Sequence, residues 1–263
     1  MQLIILAAGL SKRYGRPKQL EEIFENKTLT DYNIENAKKS KVNDIIIVTN
    51  EKIENKIKEK YSLKAKIIIS NTNNFTSNSC QLGNLFSLYC ALDYINSDFI
   101  VINADDYYEK SVFKKAKKFL EREKENIAII AYKLKNVLSI NGPVNRGIIK
   151  KNKKYLSNIK ETMGIVNTNG TIKDSDENIL DKNTLVSMGF CVFKEPIKKD
   201  IKEYVEEAIE NKEYLKDELR LTEFISKIKS KYKVKVLKTN EKWTGITFKE
   251  DKKDAYNFFK NKC

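Results

Sequence analysis

Short apolar runs recur through the first half of the chain: LIILA at 3–7, DIIIVT at 44–49, AKIIIS at 65–70, DFIVIN at 98–103 and IAIIAY at 127–132. They are rich in Ile and Val and do not alternate with polar residues, the pattern of strands covered on both faces. Amphipathic stretches separate them. Residues 29–40 place Leu29, Ile34 and Ala37 as core contacts of a helix, and 51–60 form a Lys/Glu-rich helix. Residues 82–95 set Leu82, Leu85, Phe86, Tyr89 and Leu92 at helical spacing, and 110–124 predict a further helix. Strands alternating with helices predict an α/β fold, a Rossmann-like mixed and mostly parallel sheet flanked by helices.

The pattern changes after about residue 133. RGIIKKNKKYLSNIKE reads as two strands around a turn, and TLVSMGFCVF as another strand. Helices are predicted at 197–211 and 217–229. YKVKVLKT and KWTGITF read as a terminal strand pair, with a helix from 250 onward. No Pro/Gly/Ser-rich linker interrupts the chain, so 1–263 is expected to be one domain with halves at 1–133 and 134–263. The polar stretch NTNNFTSNSCQLGN (71–84) follows a strand, where α/β sheets bind ligands. A plain surface loop explains it equally well.

Composition narrows the chemistry. No apolar run approaches the ~18 residues of a membrane span, and the N-terminus lacks the basic region of a signal peptide. Cys80, Cys90, Cys191 and Cys263 are dispersed and form no C-x-x-C pair, which argues against a disulfide framework or zinc site and for a reducing, cytoplasmic setting. The net charge is +14, yet only five of the fifty basic residues are Arg. Lysines interleaved with Glu, as in KFLEREKEN, read as solvated helix faces. No nucleic-acid or membrane partner is therefore expected, and the basic balance suits a phosphate-rich substrate. The chain has no histidine. Ser–His and Cys–His nucleophiles and His-ligated metals are excluded, leaving carboxylates, Lys, Arg, backbone amides and a hard metal.

The first strand runs into LAAGLSKRYGRPKQL (6–20). The glycine spacing from Gly9 to Gly15 fits neither G-x-G-x-x-G nor the P-loop pattern. Its parts nonetheless suit phosphate. Ala7, Ala8 and Gly9 let a ligand approach the backbone, Arg13 offers a planar fork, and Lys18 a point charge. A solvated basic loop is the competing reading of these residues alone.

The stretch closely resembles the signature L-A-A-G-x-G/S-x-R-x-x-x-x-P-K-x-L of the nucleoside-diphosphate-sugar pyrophosphorylase-like nucleotidyltransferases, with Leu6, Ala7, Ala8, Gly9, Ser11, Arg13, Pro17, Lys18 and Leu20 in register. VINADDYYEKSVF (101–113) resembles the metal-binding strand end of that family, with Asp105 at the ligand position; Asp106 would be a cap or a support. VNRGIIK, LSNIKET, LVSMGFCVF and KWTGITFKEDK follow in the family's order.

The resemblance implies a GT-A-like nucleotidyltransferase fold, with 1–133 as the nucleotide-binding half and 134–263 as the β-rich, acceptor-binding half. It implies transfer of NMP from an NTP to a phosphomonoester, with a sugar 1-phosphate as the first choice and with release of pyrophosphate, dependent on Mg²⁺ held by Asp105. Arg13 and Lys18 would neutralise the phosphates. The base would lie over Leu6, Ala7 and Ala8, its edge read by Gln81, Gly83 and Asn84. Glu161 would contact the acceptor.

Two departures keep alternatives open. The N-x-x-S-L of Asn84, Ser87 and Leu88 resembles the phosphocholine cytidylyltransferase branch, and Trp243 could help cage a quaternary ammonium or serve as a core aromatic. That branch carries W-x-E-I-D near its C-terminus; here Thr247 stands where the second acid is expected, with Glu250 and Asp251 nearby. A nucleotide-binding module without turnover is the remaining alternative.

Overall fold

The computed structural model describes residues 1–11, 14–70 and 82–262. β1 (Gln2–Leu6) leads through the opening loop to the small hairpin β2 (Glu22–Phe24) and β3 (Lys27–Thr28). Then follow α1 (Leu29–Lys39), β4 (Asp44–Thr49), α2 (Glu54–Tyr61), β5 (Lys66–Ile69), α3 (Gly83–Tyr89) and β6 (Phe99–Asn103). β7 (Asp106–Tyr107), α4 (Lys110–Arg122) and β8 (Ile127–Lys133) complete the first half. The second half contains β9 (Val144–Asn152), β10 (Tyr155–Thr168), β11 (Thr171–Lys173) and β12 (Leu185–Phe193). It ends with α5 (Ile197–Glu210), α6 (Leu221–Ile228), β13 (Val234–Lys238), β14 (Thr244–Gly245) and α7 (Asp251–Lys260).

Ten described strands form one mixed sheet in the order β11-β10-β13-β8-β12-β6-β1-β4-β5, with β9 paired to β10 and β12. β1, β4, β5 and β6 are mutually parallel, and β13 runs parallel to β8. β12 runs antiparallel between β6 and β8. Alternate residues of each central strand enter opposite layers, as the pleat requires. Ile4 and Leu6 of β1 join the core beneath α3, α5 and α6, whereas Leu3 and Ile5 join the core beneath α1, α2 and α4. Every residue of β1 is buried, which is why no polar alternation marks it. Each fully buried Leu or Ile of this kind contributes roughly 1.5–3 kcal/mol. No described helix is long and apolar enough to cross a membrane.

Two expectations need correction. YKVKVLKT and KWTGITF are not partners. β13 joins the main sheet beside β8, while β14 pairs antiparallel with β7, Thr244 opposite Tyr107 and Gly245 opposite Asp106. Strand pattern announces a strand but not its neighbour. The helix expected over 82–95 is shorter: α3 ends at Tyr89, and Leu92–Tyr94 form a separate 3-10 turn. Leu82, Leu85, Leu88, Ala91, Leu92 and Ile95 all reach the same core, so apolar spacing continues after the helix has stopped.

Candidate active site

The described stretches of the opening loop are pinned from below. Gln19 donates its Nε2 to the carbonyls of Ala7 (3.1 Å) and Gly9 (2.6 Å), and Asn50, just past β4, donates to the carbonyl of Ala8 (2.9 Å). Ser11 has φ +53°, turning the chain so that the N–H groups of Tyr14 and Gly15 both reach its carbonyl at 3.0 Å. The Ser11 hydroxyl donates to Gln19 (3.1 Å) and accepts the N–H of Lys18 (3.2 Å). With the carbonyls of residues 7–9 occupied, no acceptor among the described residues is paired with the N–H groups of Ala8, Gly9 and Leu10. Successive amides of this kind suit an anion.

Under this loop lies a cavity of about 620 Å³ at the C-terminal edge of the parallel strands, where open α/β sheets bind ligands. Of the residues singled out in the sequence, Leu6, Ala8, Gly9, Ser11, Lys18, Gly83, Asn84 and Asp105 line it. Ala7 is buried and continues the strand, its N–H bonded to Val48. Arg13 and Gln81 lie outside the described residues. The ammonium of Lys18 stands 2.5 Å from Asp105 Oδ2, both partly exposed to the cavity.

A second cavity of about 400 Å³ adjoins the first and shares Asn84, Asn103 and Glu218 with it. Glu161 lines it beside Arg146, Arg220 and Thr222, with Asn145, Ser187 and Gly189. Burial raises the Glu161 carboxyl above its ordinary range, opposed by Arg220 and Arg146. Its hydrogen bond from the Thr222 hydroxyl is long, 3.5 Å. Gly189 (φ +74°) allows close approach to this wall, since a Cβ there would lie 2.4 Å from Asn103 Nδ2.

Asp106 is a buried support. Its carboxylate accepts from Trp243 Nε1 (2.7 Å), Asn103 Nδ2 (2.9 Å) and the Tyr108 hydroxyl (3.3 Å). Burial and the neighbouring Asp105 push it up to about 6, with Arg146 acting against them. Trp243 lies outside the described linings of both cavities. Its ring stacks under Arg146, whose guanidinium carbon is 4.8 Å from the ring centroid.

Thr247 lines the first cavity where the sequence comparison expects an acid. Asp251 is already engaged: it accepts the N–H groups of Thr247 and Phe248 (both 2.7 Å) and the side chains of Ser139 (3.0 Å) and Asn141 (2.8 Å). Glu250 is exposed beside α7. Among the described residues no group of three or more His, Cys, Asp or Glu is placed to hold a metal by itself. Mg²⁺ commonly takes one or two carboxylates and completes its shell with substrate phosphate oxygens and water. Asp105, facing a cavity with unpaired amides, fits that mode.

A chain of this topology, with an amide-lined loop and an acid at the edge of its parallel strands, has the architecture of nucleotidyltransferases. Solved structures of similar fold include the following three. The inositol-1-phosphate CTP transferase of T. maritima has a TM-score of 0.68 at 17% identity, covering 95% of this chain and 90% of that one. The CTP:phosphocholine cytidylyltransferase LicC of Streptococcus pneumoniae has a TM-score of 0.67 at 17% identity, covering 98% of each chain. A Bacillus anthracis protein designated a glucose-1-phosphate thymidylyltransferase has a TM-score of 0.70 at 13% identity, covering 98% of this chain and 94% of that one. No curated protein sequence matches significantly. The profile of the MobA-like NTP transferase domain matches residues 3–145, and the chain belongs to that family.

The residues that sequence reasoning missed are Gln19 and Asn50, which shape the loop, and Arg146, Glu218, Arg220 and Thr222, which build the second cavity. Arg146 lies inside the family-like VNRGIIK, a signal that could have been followed. Glu218, Arg220 and Thr222 carry no motif of their own.

Proposed function

We propose that the chain is a Mg²⁺-dependent nucleotidyltransferase that moves NMP from an NTP to a phosphomonoester, a sugar 1-phosphate in first place, and releases pyrophosphate. The observation that carries this reading is the juxtaposition of Lys18 and Asp105 on the cavity beneath the amide-lined loop. The NTP occupies the first cavity and the acceptor the second. An acceptor phosphate oxygen attacks the α-phosphorus, a new P–O bond forms, and the bond to the β-phosphate oxygen breaks. The attacking oxygen is already ionised near neutral pH, so a chain without histidine needs no general base for this step.

The work left to the protein is alignment and neutralisation of charge. Amides 8–10 and Lys18 hold the phosphates, with Arg13 proposed to balance the leaving pyrophosphate. Asp105 would hold Mg²⁺, which supplies Lewis-acid polarisation of phosphate oxygens when bound. Asp106 keeps the turn of Asp105 fixed through Trp243 and Asn103. Amide, hydroxyl and charged side chains dominate the described lining of the second cavity, and no aromatic ring is among them. That lining favours an acceptor bearing hydroxyls over one bearing a quaternary ammonium, which prefers aromatic faces.

The test incubates the protein and Mg²⁺ with each of the four NTPs and a panel of sugar 1-phosphates, inositol phosphate and phosphocholine, following pyrophosphate. Release with a hydroxyl-bearing acceptor is expected. Release with phosphocholine alone overturns the acceptor assignment, and no release with any pair overturns the enzymatic reading.

A further inference from the structure

Asn84 stands on the walls of both cavities, but its side-chain oxygen is spent on a third element. Oδ1 accepts the backbone N–H of Leu221 at 2.8 Å. Leu221 is the first residue of α6, and Arg220 before it makes no side-chain cap. The first N–H groups of a helix find no acceptor within it, so Asn84 caps α6 from the start of α3. Two backbone bonds flank this one: Leu219 N–H to the Leu82 carbonyl (3.3 Å) and Leu85 N–H to the Leu219 carbonyl (3.0 Å). Gly83 makes the approach possible. Its φ is +82°, and a Cβ there would lie 2.4 Å from the Leu219 carbonyl oxygen.

Residues 82–85 and 219–221 are thus fastened together. Leu82 and Gly83 face the first cavity, whereas Arg220 and Thr222 face the second, Thr222 reaching toward Glu161. We propose that Asn84 is a positioning residue that sets the acceptor wall from the nucleotide wall: its side-chain carbonyl fixes the first turn of α6 and with it Arg220 and Thr222. The proposal rests on the assignment of the two cavities above. It departs from the expectation that Asn84 reads the edge of the base. The cap uses only the side-chain oxygen, which Asp supplies as well as Asn, whereas reading a base edge would fall to the Nδ2 donor, which Asp lacks.

The experiment compares Asn84→Ala and Asn84→Asp with the parent in two readouts. The first is amide exchange over residues 219–225, which needs no substrate. Losing the cap should speed exchange there about tenfold in N84A, the worth of one hydrogen bond, and N84D should restore protection. The second is kinetic: N84A should raise the acceptor KM about tenfold while the Kd for NTP alone stays within about twofold, and N84D should return the acceptor KM. Parental exchange in N84A, or fast exchange in N84D, overturns the proposal. So does an N84A protein with weakened NTP binding and an unchanged acceptor KM. A parent that releases no pyrophosphate with any pair refutes the functional reading instead, and the exchange comparison still decides the cap.

Discussion

Asp105 and Asp106 are neighbours in sequence and differ in every physical respect. Asp105 faces a cavity and an ammonium, while Asp106 is buried under three donors. The motif ADD allows either to be the functional acid, and the resemblance chose Asp105, the one the structure turns toward Lys18. The division of roles comes from β14, which clasps Asp106 and brings Trp243 over it; nothing local to 101–113 encodes that. Asp105→Asn is expected to lower kcat by ~10²–10³, the scale of one electrostatic partner of the transition state, with little change in Tm. Asp106→Asn should do the reverse first. An amide there keeps one acceptor oxygen, so either the Trp243 N–H or the Asn103 Nδ2 meets a second donor, costing ~1–3 kcal/mol, measurable by urea unfolding. Gly189→Ala tests the same support from the acceptor side, because its Cβ would meet Asn103 at 2.4 Å. Acceptor KM should rise and Tm should fall together.

Among the elements, the buried strands were the most legible. β1, β4, β6 and β8 carry so much Ile and Val that little else could be made of them. The helix of 29–40 was legible in its face and its start at Leu29, but not in the cap that begins it. The structure begins α1 with a capping box in which Thr28 and Asp31 exchange hydrogen bonds, and Lys64 pairs with Asp31 at 2.9 Å. Burial raises the Asp31 carboxyl, and the bonds from Lys64 and Thr28 outweigh it, so its folded pKa is lowered. A lowered acid pKa means the unfolded chain binds the proton more readily. The stabilisation is therefore present above the ordinary Asp range near pH 4 and is lost as pH falls through the folded value. Asp31→Ala should cost ~1–2 kcal/mol at pH 7, the usual worth of a cap, and the gap to the parent should narrow below about pH 3. Urea midpoints at the two pH values check it. The terminal strand pair was misread because apolar pattern records burial, and β13 and β14 are buried against different partners, β8 and β7, far away in sequence.

In the whole molecule the two cavities were legible to different degrees for one reason. One wall of the first comes from a single continuous motif, so a resemblance over 6–20 captured most of that loop wall. The second draws Arg146, Glu161, Gly189 and Arg220 from four separate segments, and no short pattern spans them. Asp251 shows how far the assembly reaches. It ties Thr247 and Phe248 to Ser139 and Asn141, joining the end of the described chain to its middle. Asp251→Ala removes an acceptor shared by four donors, of which Asn141 keeps Asp254 (2.7 Å), and is expected to cost ~2–4 kcal/mol. It should also raise the KM for NTP, since Thr247 lines the first cavity; thermal melts and NTP titration read the two effects separately.

The clasp of β14 on β7 also has a consequence in time. A ribosome delivers residues 1–145 long before 243–251, at ~5–20 residues per second. The loop and the parallel strands can form from local contacts while the chain is still emerging. Asp106 then waits without Trp243, and the turn that aims Asp105 is incomplete. The nascent domain should therefore gain its grip on nucleotide in one late step, when the closing segment is released, and ribosome-bound chains stalled before residue 243 should bind NTP poorly.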